Sequence, residues 1–203
     1  MELASDRCSL VLAGAWNLAI FHPEWVGKRI FPDEAEFEFG VDLAGVHFKS
    51  TSVLFVASAG RLEFKPADKA DRSLLATEET AKATLRLLPE TPLRACGLNI
   101  ACNAEMSPRL ACIFDSSDSP MLEAAGGSVI STKVHRTIEF EGARFNFIAG
   151  REHDASTVTF DFNYHYDLST TAQALKVLDV GILRARSSCV LFLKKTYDLE
   201  AQG

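Results

Sequence analysis

No apolar stretch in this 203-residue sequence is long enough to cross a membrane: the best candidate, residues 10–21, falls well short of the roughly 20 residues a bilayer demands. The opening Met-Glu-Leu-Ala-Ser-Asp-Arg has no basic start followed by an apolar run and a cleavage site. A cytoplasmic protein without a membrane partner is expected. Positive charge is in deficit, with 21 lysines and arginines against 27 acids and a net charge of -6. Broad phosphate-backbone binding needs a basic stripe, so this balance argues against nucleic acid as a partner. Only a local basic groove stays compatible with it. The five cysteines (Cys8, Cys96, Cys102, Cys112, Cys189) are odd in number and never spaced as CxxC. Zinc ligand pairs normally sit two to four residues apart, so no metal site is expected, and buried reduced thiols are. GxSxG, GxGxxG and GxxxxGK[ST] are absent as well, which removes the serine elbow and the common nucleotide loops; no cofactor is expected.

What is present points to a sheet. Phenylalanine supplies 14 residues, and residues 36–41, 61–65 and 157–166 alternate apolar and polar side chains as a strand with one wet face does. The elements run in an order that occurs twice. Residues 10–88 read as a long strand, a short helix opened by His22-Pro23-Glu24, three strands (36–41, 51–57, 61–65) and an amphipathic helix from about residue 71 to 88. Pro89-Glu90-Thr91-Pro92 is a firm stop. Residues 93–193 repeat the plan: a strand over 93–103, short helical pieces interrupted at Asp115-Ser116-Ser117-Asp118-Ser119-Pro120, strands over 129–140, 144–149 and 157–166, and a last helix capped by Ser169. Trp16-Asn17-Leu18-Ala19-Ile20 can be laid over Leu98-Asn99-Ile100-Ala101-Cys102. The expected fold is α+β: one domain of two similar strand-helix-three-strand-helix halves, 1–90 and 91–203, forming antiparallel sheet with helices on one face.

Two surfaces carry the functional expectations. The first is the polar side of the last three strands, where Lys133, His135, Thr137 and Glu139 share a face, as do Asp161, Asn163 and His165, with Arg144 and Asn146 between. Two histidines and two carboxylates, His135, His165, Asp161 and Glu139, have the chemistry for acid–base work or a metal; cross-strand polar pairing is the plainer use. The second is the terminal helix, apolar nearly all round, whose Leu183, Val190, Leu191 and Leu193 are expected to meet a partner. Arg151-Glu152-His153-Asp154 falls at a turn, and Ser187-Ser188-Cys189 lies inside a helix. Trp16 and Trp25 are expected in the core.

The order of elements is similar to that of DNA sliding clamps and, more loosely, of saddle-shaped proteins with a duplicated sheet. A clamp needs basic residues on its short helices, where this chain has only Lys28, Arg29 and Arg109. The first functional expectation is therefore a non-catalytic interaction or assembly subunit, acting as an oligomer or within a complex through sheet edges and the terminal helix. A small-ligand or metal-dependent enzyme using the face around His135, Asp161 and His165 is the second, and a clamp-like nucleic-acid-associated protein the third.

Overall fold

The computed structural model describes residues 1–32, 36–43, 45–115 and 118–200. Within them the period-two segments become ten antiparallel strands of one open sheet, accompanied by six α-helices, an α+β fold. The strands are β1 (Glu2–Leu3), β2 (Ser9–Gly14), β3 (Glu38–Asp42), β4 (Gly45–Lys49), β5 (Val53–Ala57), β6 (Arg61–Pro66), β7 (Leu93–Glu105), β8 (Ser131–Phe140), β9 (Ala143–Glu152) and β10 (Thr157–Asp167). Their order across the sheet is β3-β4-β5-β6-β2-β7-β10-β9-β8, with β1 joining β7. β2 and β7 lie antiparallel at the centre, Leu12 opposite Cys96 and Ser9 opposite Asn99. Outward from them run two series of hairpins. The tight link between β8 and β9 is Glu141-Gly142, both with positive φ (50° and 78°), the mirror-image turn that matches strand twist.

The helices are α1 (Pro23–Arg29), α2 (Asp71–Leu87), α3 (Pro108–Phe114), α4 (Ser119–Ala124), α5 (Thr171–Val180) and α6 (Ile182–Tyr197). On β2, β5, β6, β9 and β10 alternate residues are buried, and the buried aromatic ones of the sheet form two groups. Phe48, Phe55 and Phe64 stack across β4, β5 and β6 with ring centroids 5.8 and 4.8 Å apart. Phe145, Phe147 and Phe162 gather under Phe192 of α6 at 5.4–5.9 Å. Each such pair adds about 0.5–1.5 kcal/mol beyond the area it buries. Trp16 is buried and donates from Nε1 to the Leu12 carbonyl at 3.2 Å, while Trp25 packs edge-on against Phe21.

Several expectations change. The first strand stops at Gly14 rather than running to residue 21, because Asn17 caps a 3-10 turn at Leu18–Ile20 with its side chain. Asn17 is thus a cap and Asn99 a mid-strand residue, so the five-residue likeness between 16–20 and 98–102 has no structural counterpart. An additional strand, β4, stands among the three expected after the first short helix; its Gly45, His47 and Lys49 weaken the apolar signal. Two short helices do form here, but the interruption is shorter than expected: Ser119 and Pro120 are the first turn of α4, and Ser116 and Ser117 lie outside the described residues. The terminal helix is two helices. Its N-cap is Thr170, whose side chain and that of Gln173 form a reciprocal capping box, not Ser169.

The break falls at Gly181, whose φ of 91° only glycine adopts freely. A redirected chain places the apolar residues of α5 and α6 on separate buried stripes, which removes the all-round apolar helix. Leu193 is fully buried in the core, whereas Leu183, Val190 and Leu191 are half-buried. Glu78 of α2 secures this joint: one carboxylate oxygen accepts from the Ile182 N–H at 2.8 Å and the other from Lys82 at 2.6 Å. Burial of Lys82, the largest single influence on its pKa, works to lower it. The hydrogen bonds and charges of Glu78 and Glu79 outweigh that and raise it.

Candidate functional site

The residues that alternate with the buried rows build a polar ladder across the centre of the sheet. Thr137, Asn146, Asn163, Asn99 and Ser9 stand directly opposite one another on β8, β9, β10, β7 and β2. Thr137 donates to Asn146 Oδ1 at 3.0 Å and Asn146 to Asn163 Oδ1 at 3.4 Å. Asn163 donates to Asn99 Oδ1 at 2.6 Å and Asn99 to Ser9 Oγ at 2.9 Å. Five strands are thereby linked by side chains as well as backbone. Amides and hydroxyls of this kind do not titrate near neutral pH; the ladder offers hydrogen-bond donors and acceptors rather than a general acid or base.

The four titratable candidates occupy this same face but do not converge. His135 and Asp161 fall in one row with Ile148 between them, two strand spacings or about 10 Å apart. His165 and Glu139 are farther along their strands, on the far side of the amide row. Arg7, from the turn after β1, forms an ion pair with Asp161 and also reaches Asn103 Oδ1 at 3.4 Å, so that carboxylate is engaged. His165 Nε2 contacts Asp167 at 3.1 Å. Among the described residues no group of three or more His, Cys, Asp or Glu side chains is placed to hold a metal.

The other candidates resolve into structural uses. Cys189 is buried against the Tyr164 hydroxyl at 3.4 Å, and desolvation pushes its thiol pKa up, the opposite of what a nucleophile needs. Burial likewise pushes Cys96 and Cys102 up to about 12. Ser187 donates to the Leu183 carbonyl at 2.9 Å. Arg151 donates to the His153 carbonyl at 3.1 Å within its turn. Lys28 pairs with Glu24 at 2.8 Å and Arg109 with Asp198 at 3.0 Å.

On the first half of the face the charges are tied to one another. Lys49 meets Glu38 at 3.4 Å, His47 meets Asp42 at 3.7 Å, and Glu63 lies between Arg61 and Lys65 at 3.6 and 3.4 Å. The opposite side of β3 is different. Phe39 is 48% exposed, Val41 68%, and Leu43 beyond them is wholly exposed, although Phe39 touches Phe48 with ring centroids 5.3 Å apart. This apolar strip on an edge strand escaped the sequence reading because alternation predicts a buried side without saying whether anything covers it. The ladder and Arg7 were likewise missed as a unit, though a central asparagine in an otherwise apolar β7 was the visible sign. No helix among the described residues is long and apolar enough to cross a membrane. No protein-family model matches the chain, and no curated protein matches its sequence.

Proposed function

We propose that the chain is a non-catalytic interaction subunit that associates with further copies of itself through the β3 edge of its sheet. The observation that carries this reading is the exposed strip of Phe39 and Val41, continued by Leu43, on a strand whose outer hydrogen-bonding edge has no partner strand among the described residues. Unpaired edges with apolar side chains are ready templates for another chain. Support also comes from the dispersal of His135, Asp161, His165 and Glu139 over separate rows. The half-buried Leu183, Val190 and Leu191 offer a second, smaller contact on α6. The duplication belongs to this reading. β2 and β7 sit side by side, each is followed by a short helix, and the strand nearest each (β6, β10) precedes a longer helix. Such a plan suits a pseudo-symmetric body with the helices on one side and a binding face on the other.

Light scattering after size exclusion tests this directly. The wild-type chain is expected at a multiple of 22.2 kDa, and Val41→Lys at the single-chain mass with an unchanged circular-dichroism spectrum. A wild-type monomer contradicts the proposal.

A further inference from the structure

A cavity of about 780 Å³ opens between α6, β1 and the N-terminal end of α2. Its volume falls within the roughly 300–1,000 Å³ of small-molecule sites. Leu3 of β1 stands directly opposite Cys102 of β7, and both line the cavity together with Ala70, Val190 and Leu191. Every charged side chain in the wall already has a partner. Lys69 forms an ion pair with Glu2, Arg186 with Asp71 at 2.6 Å, and Lys194 with Glu200 at 3.2 Å. The α-amino group of Met1 donates to the Glu200 carbonyl at 2.7 Å. Ser187, the wall's hydroxyl, donates to the Leu183 carbonyl at 2.9 Å. The Cys102 thiol, which burial keeps protonated, adds no charge. The surface left for a guest is apolar, and an ionised group entering it would lose water without gaining a partner.

We infer that this cavity binds an uncharged, apolar small molecule, its body against Leu3, Val190 and Leu191. This goes beyond the assembly reading and does not rest on it, since no residue of the β3 edge lines the cavity. The test is fluorescence titration of the full chain at low ionic strength with two dyes of the same aromatic body. One is the uncharged phenylnaphthylamine, the other its sulfonate, anilinonaphthalenesulfonate. The uncharged dye is expected to bind saturably, with one site per chain, and about tenfold or more tightly than the sulfonate. Val190→Phe, which adds bulk to the wall, is expected to weaken the uncharged dye by about tenfold, and Val41→Lys to leave it unchanged. Asp71→Asn frees the Arg186 guanidinium and should tighten the sulfonate several-fold while the uncharged dye holds. Asp71 is exposed, so the melting temperature of that variant should stay near the wild-type value and separate changed binding from changed fold. No saturable binding of the uncharged dye overturns the site, as does a sulfonate that binds the wild type as tightly or that Asp71→Asn leaves unchanged. Binding that Val190→Phe spares, or that Val41→Lys weakens, would place the dye elsewhere and overturn it as well.

Discussion

The sheet has two edges, and they are built on opposite principles. β8 is ten residues long, in register with β9 along its whole length, and bears Lys133 on one side and Arg136 on the other. Neither has a carboxylate in ion-pair range among the described residues, so their charges stay free to repel an incoming strand. Its other side is also occupied: Phe140 packs edge-on against Phe192 at 5.4 Å, and the Lys195 ammonium lies 5.5 Å from its ring. β3 is half as long. Its two charges, Glu38 and Asp42, are turned inward by Lys49 and His47, and the imidazole of His47 lies so close over Gly40 that a Cβ there would collide with it. Its other side shows Phe39 and Val41 to solvent. The lesson is that charge guards an edge only while it is unpaired; an edge whose charges are satisfied within its own sheet is open on both counts.

The largest effect that sharpens this contrast concerns what lies behind each edge. Phe48→Ala removes the fully buried ring on which Phe39 leans and should cost about 3–5 kcal/mol by chemical denaturation. Phe140→Ala, half-buried behind β8, should cost about 1–2 kcal/mol. Equal costs would mean that the two edges are backed alike.

Alkaline pH gives the next effect and acts on the β7, β10 and α6 side. Burial raises the pKa of Cys96, Cys102, Cys189 and Tyr164, so each keeps its proton in the folded chain after losing it in the unfolded one. Their contribution to stability is full below the unfolded values near 9–10 and falls as pH rises through them. Lys82, raised by Glu78 and Glu79 against its burial, has the same sign. Stability should therefore decline from about pH 9 toward 12, by at most about 1.4 kcal/mol per pH unit for each group. Replacing Cys96 and Cys102 by alanine should flatten the decline, whatever it does to stability at pH 7.

The smallest effect on stability is at the β8 edge itself. Lys133→Thr with Arg136→Thr replaces exposed side chains, of which Arg136 also hydrogen-bonds Tyr197, and should change stability by no more than about 1 kcal/mol. It should nonetheless raise the solution mass, because it removes the free charges. An unchanged mass would show that something other than charge protects β8.

Much of this architecture was written in the chain. Strict alternation in residues 157–166 and 61–65 identified β10 and β6 and the side each residue faces, because a period of two leaves one arrangement that buries Phe160, Phe162 and Phe64. Pro89 and Pro92 marked the passage into β7. Illegible parts depended on tertiary geometry. β4 mixes Gly45, His47 and Lys49 with its apolar residues, and its place is settled by Phe48 stacking on Phe55. Gly181 looked like an interior helix residue until Glu78, 104 positions away, was found holding the new N-terminus. At the candidate site, shared facing was readable but row was not. His135 and Asp161 point to one side as expected, and Ile148 separates them only once the register is known.

The central claim, that β3 is the associating edge, is tested most directly by the solution mass of the wild type beside Val41→Lys. An assembly of wild-type chains, each 22.2 kDa, that dissociates to single folded chains in the variant is the predicted result. A wild type that runs as a single chain, or an assembly that Val41→Lys leaves intact, would contradict it.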